Sequence, residues 1–149
     1  MIKKICLMLA LPVFLLVGSA WAADSGTAAE AKAMLEKAVA ELKKDKPKAL
    51  EMFTKGEGGF KEKDLYPFCG GPDGNFTAHP KLVGKSMKDL KDKSEKALPI
   101  GEEMYKNAKE GVISEISYMF PRAGEEKPAA KVVYYTKVGD QICGVGYYK

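Results

Sequence analysis

The hydrophobic period of this chain changes near Leu65, and that change constrains the fold more than any other feature. From Ala28 to Leu42 the apolar residues Ala31, Met34, Leu35, Ala38, Val39 and Leu42 recur at spacings of three and four. Lysines and glutamates occupy the other face, so the spacing predicts an amphipathic helix of about four turns. Asp45-Lys46-Pro47 interrupts it, because proline lacks an amide proton and fits best in the first turn of a new helix. Ala49, Leu50, Met52 and Phe53 continue at helical spacing, and Gly56 supplies the stop. A glycine- and charge-rich linker, Gly56 to Lys63, leads out of this helical half.

After the linker the pattern is that of strands. Leu65 to Cys69 and Asn75 to His79 are short apolar or alternating runs flanking Gly70-Gly71-Pro72-Asp73-Gly74, whose residues suit a turn, so a hairpin is expected. Ser86 with Asp89 three residues on resembles a capping box and predicts a short helix over Ser86 to Leu90. Pro99 opens another helix that should end at Gly111. Strands are expected at Val112 to Phe120, Lys131 to Val138 and Gln141 to Tyr148, the last two joined by Gly139-Asp140. Two helices, a hairpin, a helical insertion and a three-strand meander predict an α+β fold with one antiparallel sheet.

The first residues read as a targeting signal. Lys3 and Lys4 precede an apolar run from Ile5 to Val17, and Ala20-Trp21-Ala22 places small residues where a signal peptidase reads. The rival reading, a retained anchor, has too short a run for the roughly 20 residues that span a bilayer, and Pro12 interrupts it. Residues 1–22 are therefore expected to be a cleaved signal peptide and residues 23–149 a single exported domain. Loss of Lys3 and Lys4 lowers the formal net charge of +4 by two, which leaves no electrostatic case for nucleic acid. Cys6 leaves with the signal and lies at the wrong end of the apolar run for lipid attachment, whereas Cys69 and Cys143 remain as an even pair in an oxidising compartment.

The inventory for chemistry is thin. The chain has one histidine, His79, and its two remaining cysteines are far apart in sequence, so neither a closed metal site nor a haem attachment has a ligand set. No nucleophile elbow and no phosphate-cradling glycine loop occurs, so neither an enzyme nor a cofactor is expected. Large aromatics are more informative. Tyr66 with Phe68, and Tyr118 with Phe120, share a strand face by periodicity, while Tyr134 alternates with Tyr135. An aromatic-walled cavity with hydroxyls and a lysine such as Lys131 would suit a small carboxylate, and the alternative is that these residues simply pack the core and the sheet edge.

Asp64-Leu65-Tyr66-x-Phe68, Asp73-Gly74-x-x-x-Ala78-His79-Pro80, Leu82-Val83-Gly84-Lys85 and Asp89-Leu90-Lys91-Asp92 are similar, in order, to the first half of single Cache domains of the second type. Tyr118-x-Phe120, Lys131-Val132-x-Tyr134 and Gly144-Val145-Gly146-Tyr147-Tyr148 continue the likeness over about residues 30 to 148. The resemblance implies a PAS-like antiparallel five-stranded sheet with a long N-terminal helix and a pocket beneath the helical insertion. Family members are extracytoplasmic ligand sensors, usually the outer part of chemoreceptors or histidine kinases, and often bind small organic acids.

Carried over position by position, the resemblance implies Lys131 as charge partner of a carboxylate, Tyr134 and His79 as hydrogen-bond donors, and Tyr118 with Phe120 as apolar wall. The other role open to His79 is that of a turn residue orienting the insertion. The sequence departs from the family at Pro67, which should disturb strand pairing, at Cys69, and from Lys96 to Ile100. If the sheet has the PAS order, the end of the first strand lies beside the start of the last, and a Cys69–Cys143 disulfide is expected. Since no membrane helix or kinase follows the sheet in this sequence, a free-standing periplasmic domain, monomer or homodimer, is expected to pass ligand state to a separate membrane receptor or histidine kinase. The alternative from another class is an envelope interaction protein of the same fold with no ligand.

Overall fold

The computed structural model describes residues 25–149, so the signal-peptide reading lies outside the described residues. The elements are α1 (Ala28–Lys44), α2 (Lys46–Lys55), β1 (Pro67–Gly70), β2 (Phe76–Ala78), α3 (Ile100–Asn107), β3 (Ser114–Pro121), β4 (Pro128–Val138) and β5 (Gln141–Tyr148). Thr27 and Glu30 start α1 by a reciprocal cap: Thr27 Oγ1 accepts from Glu30 N–H at 3.2 Å, and the Glu30 carboxylate accepts from Thr27 N–H at 2.8 Å. Asp45 sits between α1 and α2 in extended conformation, and its carboxylate accepts from Lys48 N–H at 3.2 Å. Gly56, at φ 71°, closes α2 in the left-handed region that glycine adopts without a Cβ clash.

The five strands form one antiparallel sheet in the order β2-β1-β5-β4-β3, the expected α+β architecture. Both faces are covered. Ala31, Leu35, Ala38, Ala49 and Phe53 of α1 and α2 pack on Cys69, Ala78, Cys143 and Val145. On the other face Phe68, Phe76, Tyr118, Val133, Tyr135 and Ile142 meet Met87, Ile100 and Met104 of the insertion. Cys69 and Cys143 are register partners on β1 and β5, 4.1 Å apart at Cα, and are joined by the disulfide that the resemblance implied. Pro67 is the first residue of β1, where a missing N–H is tolerated, so the strand disturbance is confined to its start.

The insertion departs from expectation. Ser86 Oγ does accept from Asp89 N–H at 3.1 Å, but no helix follows. The amides of Met87 and Lys88 both donate to Gly74 O of the hairpin tip, at 2.8 and 3.0 Å, and those of Asp92 and Lys93, which a helix capped at Ser86 would turn back on Lys88 and Asp89, go instead to Leu98 O and Met119 O, both at 2.9 Å. Residues 80–99 instead run as a strap that fastens to both edges of the sheet. At the β2 edge Phe76 N–H donates to Lys85 O and Gly84 N–H to Phe76 O, at 2.8 and 2.9 Å. At the β3 edge Met119 N–H donates to the Asp92 carboxylate and Lys93 N–H donates to Met119 O, both at 2.9 Å. Other boundaries shift modestly: α3 ends at Asn107 rather than Gly111, β3 begins at Ser114, and β4 begins at Pro128 because Ala129 and Ala130 already pair with Phe120 and Met119.

Candidate functional site

Tyr118, Lys131 and Tyr148 form one row across β3, β4 and β5, directly opposite one another in the register. The row faces the insertion. Lys131 is only 6 % exposed, yet among the described residues its ammonium has no carboxylate within ion-pair distance. Aromatic rings surround it instead: Nζ lies 5.0 Å from the ring centre of Tyr148, 5.4 Å from Tyr66 and 5.9 Å from Phe120. Burial lowers the Lys131 pKa to about 8, and the more distant Asp64 carboxylate opposes that shift. The lysine reaches this place over Gly146 of β5, where a Cβ would lie 2.4 Å from Lys131 Cε and 2.9 Å from Val133 Cγ2.

His79 closes the β2 side of the cluster. Its ring stands edge-on to Tyr66 and Phe76, with centroids 5.3 and 5.1 Å away. Burial, then the positive charges of Lys131 and Lys81, lowers its pKa to about 4, so the ring is neutral near pH 7. Nδ1 accepts from Lys81 N–H at 2.9 Å, which pins the start of the strap and leaves Nε2–H as the ring's donor. Burial raises the hydroxyl pKa of Tyr66 and Tyr118, and that of Tyr148 to about 12, so all three remain protonated donors.

Tyr148 is held from behind. Its hydroxyl donates to Pro121 O at 2.8 Å, and the Arg122 guanidinium lies 4.4 Å from its ring centre. Arg122 in turn pairs with Asp64 at 3.2 Å and donates to Ser25 Oγ at 3.1 Å, while Asp64 accepts Gly26 N–H at 2.6 Å. The segment entering α1 and the loop entering β1 are thus tied to the wall of the lysine cluster.

Of the residues singled out in the sequence, Lys131, His79, Tyr118 and Phe120 come together, and Tyr134 does not. Tyr134 pairs with Val145 and projects to the α1 face, where it stacks on Tyr147 with ring centres 5.8 Å apart. Side chains alternate along a strand, and Tyr134 lies three positions after Lys131, so parity alone puts them on opposite faces. Tyr66, Tyr148 and Gly146 belong to the cluster and were not among the expected ligand-binding residues. Tyr66 carried a signal in its shared parity with Phe68, whereas Tyr148 and Gly146 join Lys131 only through the β4–β5 register.

Two open surface concavities lie elsewhere. One of about 390 Å³ is lined by Leu42, Lys46, Glu110 and Asp140, and one of about 230 Å³ by Met34, Lys37, Lys63 and Leu65. Their charged groups are exposed and largely matched, as in the Lys46–Asp140 and Lys63–Glu30 pairs, so neither presents the buried unpaired charge that marks the Lys131 cluster. No group of three or more His, Cys, Asp or Glu side chains able to hold a metal is found among the described residues.

The Cache domain family model dCache_2 matches residues 29–149. Solved structures with this fold include a methyl-accepting chemotaxis protein from Vibrio parahaemolyticus RIMD 2210633, 24% identical with a TM-score of 0.63, covering 80% of this chain and 86% of that one. A Cache chemosensory domain studied for carboxylic acid recognition is 18% identical with a TM-score of 0.56, covering 78% and 84%. The periplasmic sensor domain of a chemotaxis protein is 16% identical with a TM-score of 0.55, covering 78% and 86%. Among curated proteins no significant sequence match is found. With the family match spanning both helices of the first layer and the whole sheet, this chain belongs to the Cache domain family.

Proposed function

We propose that this chain is a periplasmic binding domain for a small organic acid, and that it passes its ligand state to a separate membrane receptor or histidine kinase. The observation that carries the reading is the buried Lys131 ammonium, ringed by Tyr66, Phe120 and Tyr148 and lacking a carboxylate partner among the described residues. A buried unpaired cation costs stability, and an anionic ligand offsets that cost when it binds. The carboxylate pairs with Lys131, neutral donors on His79 and Tyr118 orient it, and Phe120 with Tyr66 covers its apolar part. Carboxylic acid recognition by a Cache domain of the same fold supports this choice of ligand class.

The test is a thermal-shift screen of the purified protein against acetate, propionate, succinate, benzoate, amino acids and amines. A ligand that binds the folded state alone raises the melting temperature in proportion to the logarithm of its concentration. The expected result is a dose-dependent shift with one carboxylate class that Lys131→Met abolishes. A second reading, an envelope interaction protein whose site is filled by its own side chains, draws support from Lys131 and Tyr118 being 6 % and 8 % exposed. It predicts a flat screen together with a stable protein complex on pull-down.

A further inference from the structure

The outer side of the strap carries charge and apolar surface that the proposed binding site does not use. Lys81, Lys85, Lys88, Lys91, Lys93 and Lys96 are all exposed, and none forms an ion pair among the described residues. The same stretch contains three acids, Asp89, Asp92 and Glu95. Asp92 is buried and spends its carboxylate on the amides of Met119 and Ser94, which leaves two exposed carboxylates facing six exposed ammonium groups. The residues that hold the strap down, Met87 and Asp92 with the half-buried Leu82 and Leu90, point to the sheet, so the lysines stand on the side away from it.

A second observation separates this surface from an ordinary solvated charge run. The described residues expose three large apolar side chains, and two of them, Val83 at 52% and Leu98 at 48%, lie in this strap among the lysines. Exposed aliphatic groups interspersed with long cationic side chains match the interface of a lipid bilayer: ammonium groups sit at the phosphate level while the apolar side chains enter below it. An acidic protein surface would have to place apolar pockets for Val83 and Leu98 among its carboxylates, whereas an anionic bilayer offers both along its whole area. The lysine stems also let the charges reach phosphates at several depths, so the strap needs no regular helix.

We propose that the outer side of the strap, residues 80–99, docks the domain on an anionic phospholipid surface, with the six lysines at the headgroups and Val83 and Leu98 inserted between them. The sheet face that carries Lys131 then points toward the membrane and α1 points away from it.

Sedimentation of the purified chain with vesicles of phosphatidylcholine containing phosphatidylglycerol, compared with pure phosphatidylcholine, tests this. Binding is expected only to the anionic vesicles, and it should disappear when salt shortens the Debye length to about 3 Å. Each lysine near an anionic surface changes affinity about fivefold, so K81Q/K85Q/K88Q/K91Q should weaken binding more than about a hundredfold. V83S/L98S should weaken it at unchanged charge. K32Q/K43Q/K44Q/K48Q, which removes the same charge from exposed positions on α1 and α2, should leave most of it. All arms use the same mature chain, residues 23–149, without the apolar run Ile5 to Val17, and circular dichroism confirms that each variant is folded. Equal binding to both vesicle types, equal loss in the two lysine sets, or full binding by V83S/L98S would each overturn the proposal. So would failure to sediment with vesicles together with binding to polyglutamate, which would assign the surface to an acidic protein.

Discussion

Lys131 is the residue at which stability and the proposed binding oppose each other. Its pKa falls from an ordinary 10.5 to about 8 because burial penalises the ammonium, so between those two values the unfolded chain binds more protons than the folded one. The contribution of this group to stability therefore rises as pH climbs from about 8 to 10.5, and near pH 7 the buried charge is a net cost on the order of 3 kcal/mol. Lys131→Met should raise stability near pH 7 by an amount of that order, measured by urea unfolding, and the gain should shrink above pH 8. Gly146 is the companion residue. Gly146→Ala places a methyl 2.4 Å from Lys131 Cε, so it should cost about 1–3 kcal/mol in the natural chain. The cost should fall in a Lys131→Ala background, leaving the contact with Val133, and a double-mutant cycle with zero coupling would show that the glycine does not make room for the lysine.

At the scale of elements, the strap is the part of the fold that sequence patterning describes least well. Helix α1 was legible because its own residues supply both the apolar stripe and the cap. Ser86 and Asp89 supply a cap too, but Met119 O, on a strand distant in the chain, accepts the Lys93 amide and Leu98 O accepts that of Asp92, and no local rule reports those competitors. The expected strands β3 to β5 were recovered because each alternates in register with a neighbour, and the same alternation separates Tyr134 from Lys131 once parity is counted. Asp92 makes the strap's bond to the β3 edge, where Met119 lies between two wall residues, Tyr118 and Phe120. Asp92→Ala should leave the sheet formed and speed hydrogen exchange of the Met119 amide, with little change in that of Tyr118, which bonds inward to β4. Unchanged Met119 protection would mean that the strap is held to that edge by other contacts.

Over the whole molecule, the strand order could not be deduced from periodicity, which assigns faces without assigning neighbours. The order expected by resemblance also placed Cys69 beside Cys143, and the two are register partners in the middle of the sheet. Their bond closes the span that contains the hairpin tip, β2, the strap, α3 and the strands β3 and β4, so of the candidate site's residues only Tyr66, Tyr148 and Gly146 lie outside the loop. A C69A/C143A chain should lose roughly 2–5 kcal/mol by denaturant unfolding if restriction of the unfolded chain is the main effect. The outer covering of both faces, by α1 and α2 on one and by the strap and α3 on the other, leaves the Lys131 row buried in the second layer.

If the Lys131 ammonium is what holds an organic acid, binding must follow the protonation of that one group. Affinity for the most stabilising carboxylate of the screen is measured by calorimetry from about pH 7 to about pH 10, in the natural chain and in Lys131→Met. Affinity should stay constant up to about pH 8 and then fall by close to tenfold per pH unit as the free lysine deprotonates, with no binding in Lys131→Met at any pH. Affinity that is flat across this range, or that survives Lys131→Met, would contradict that role for Lys131.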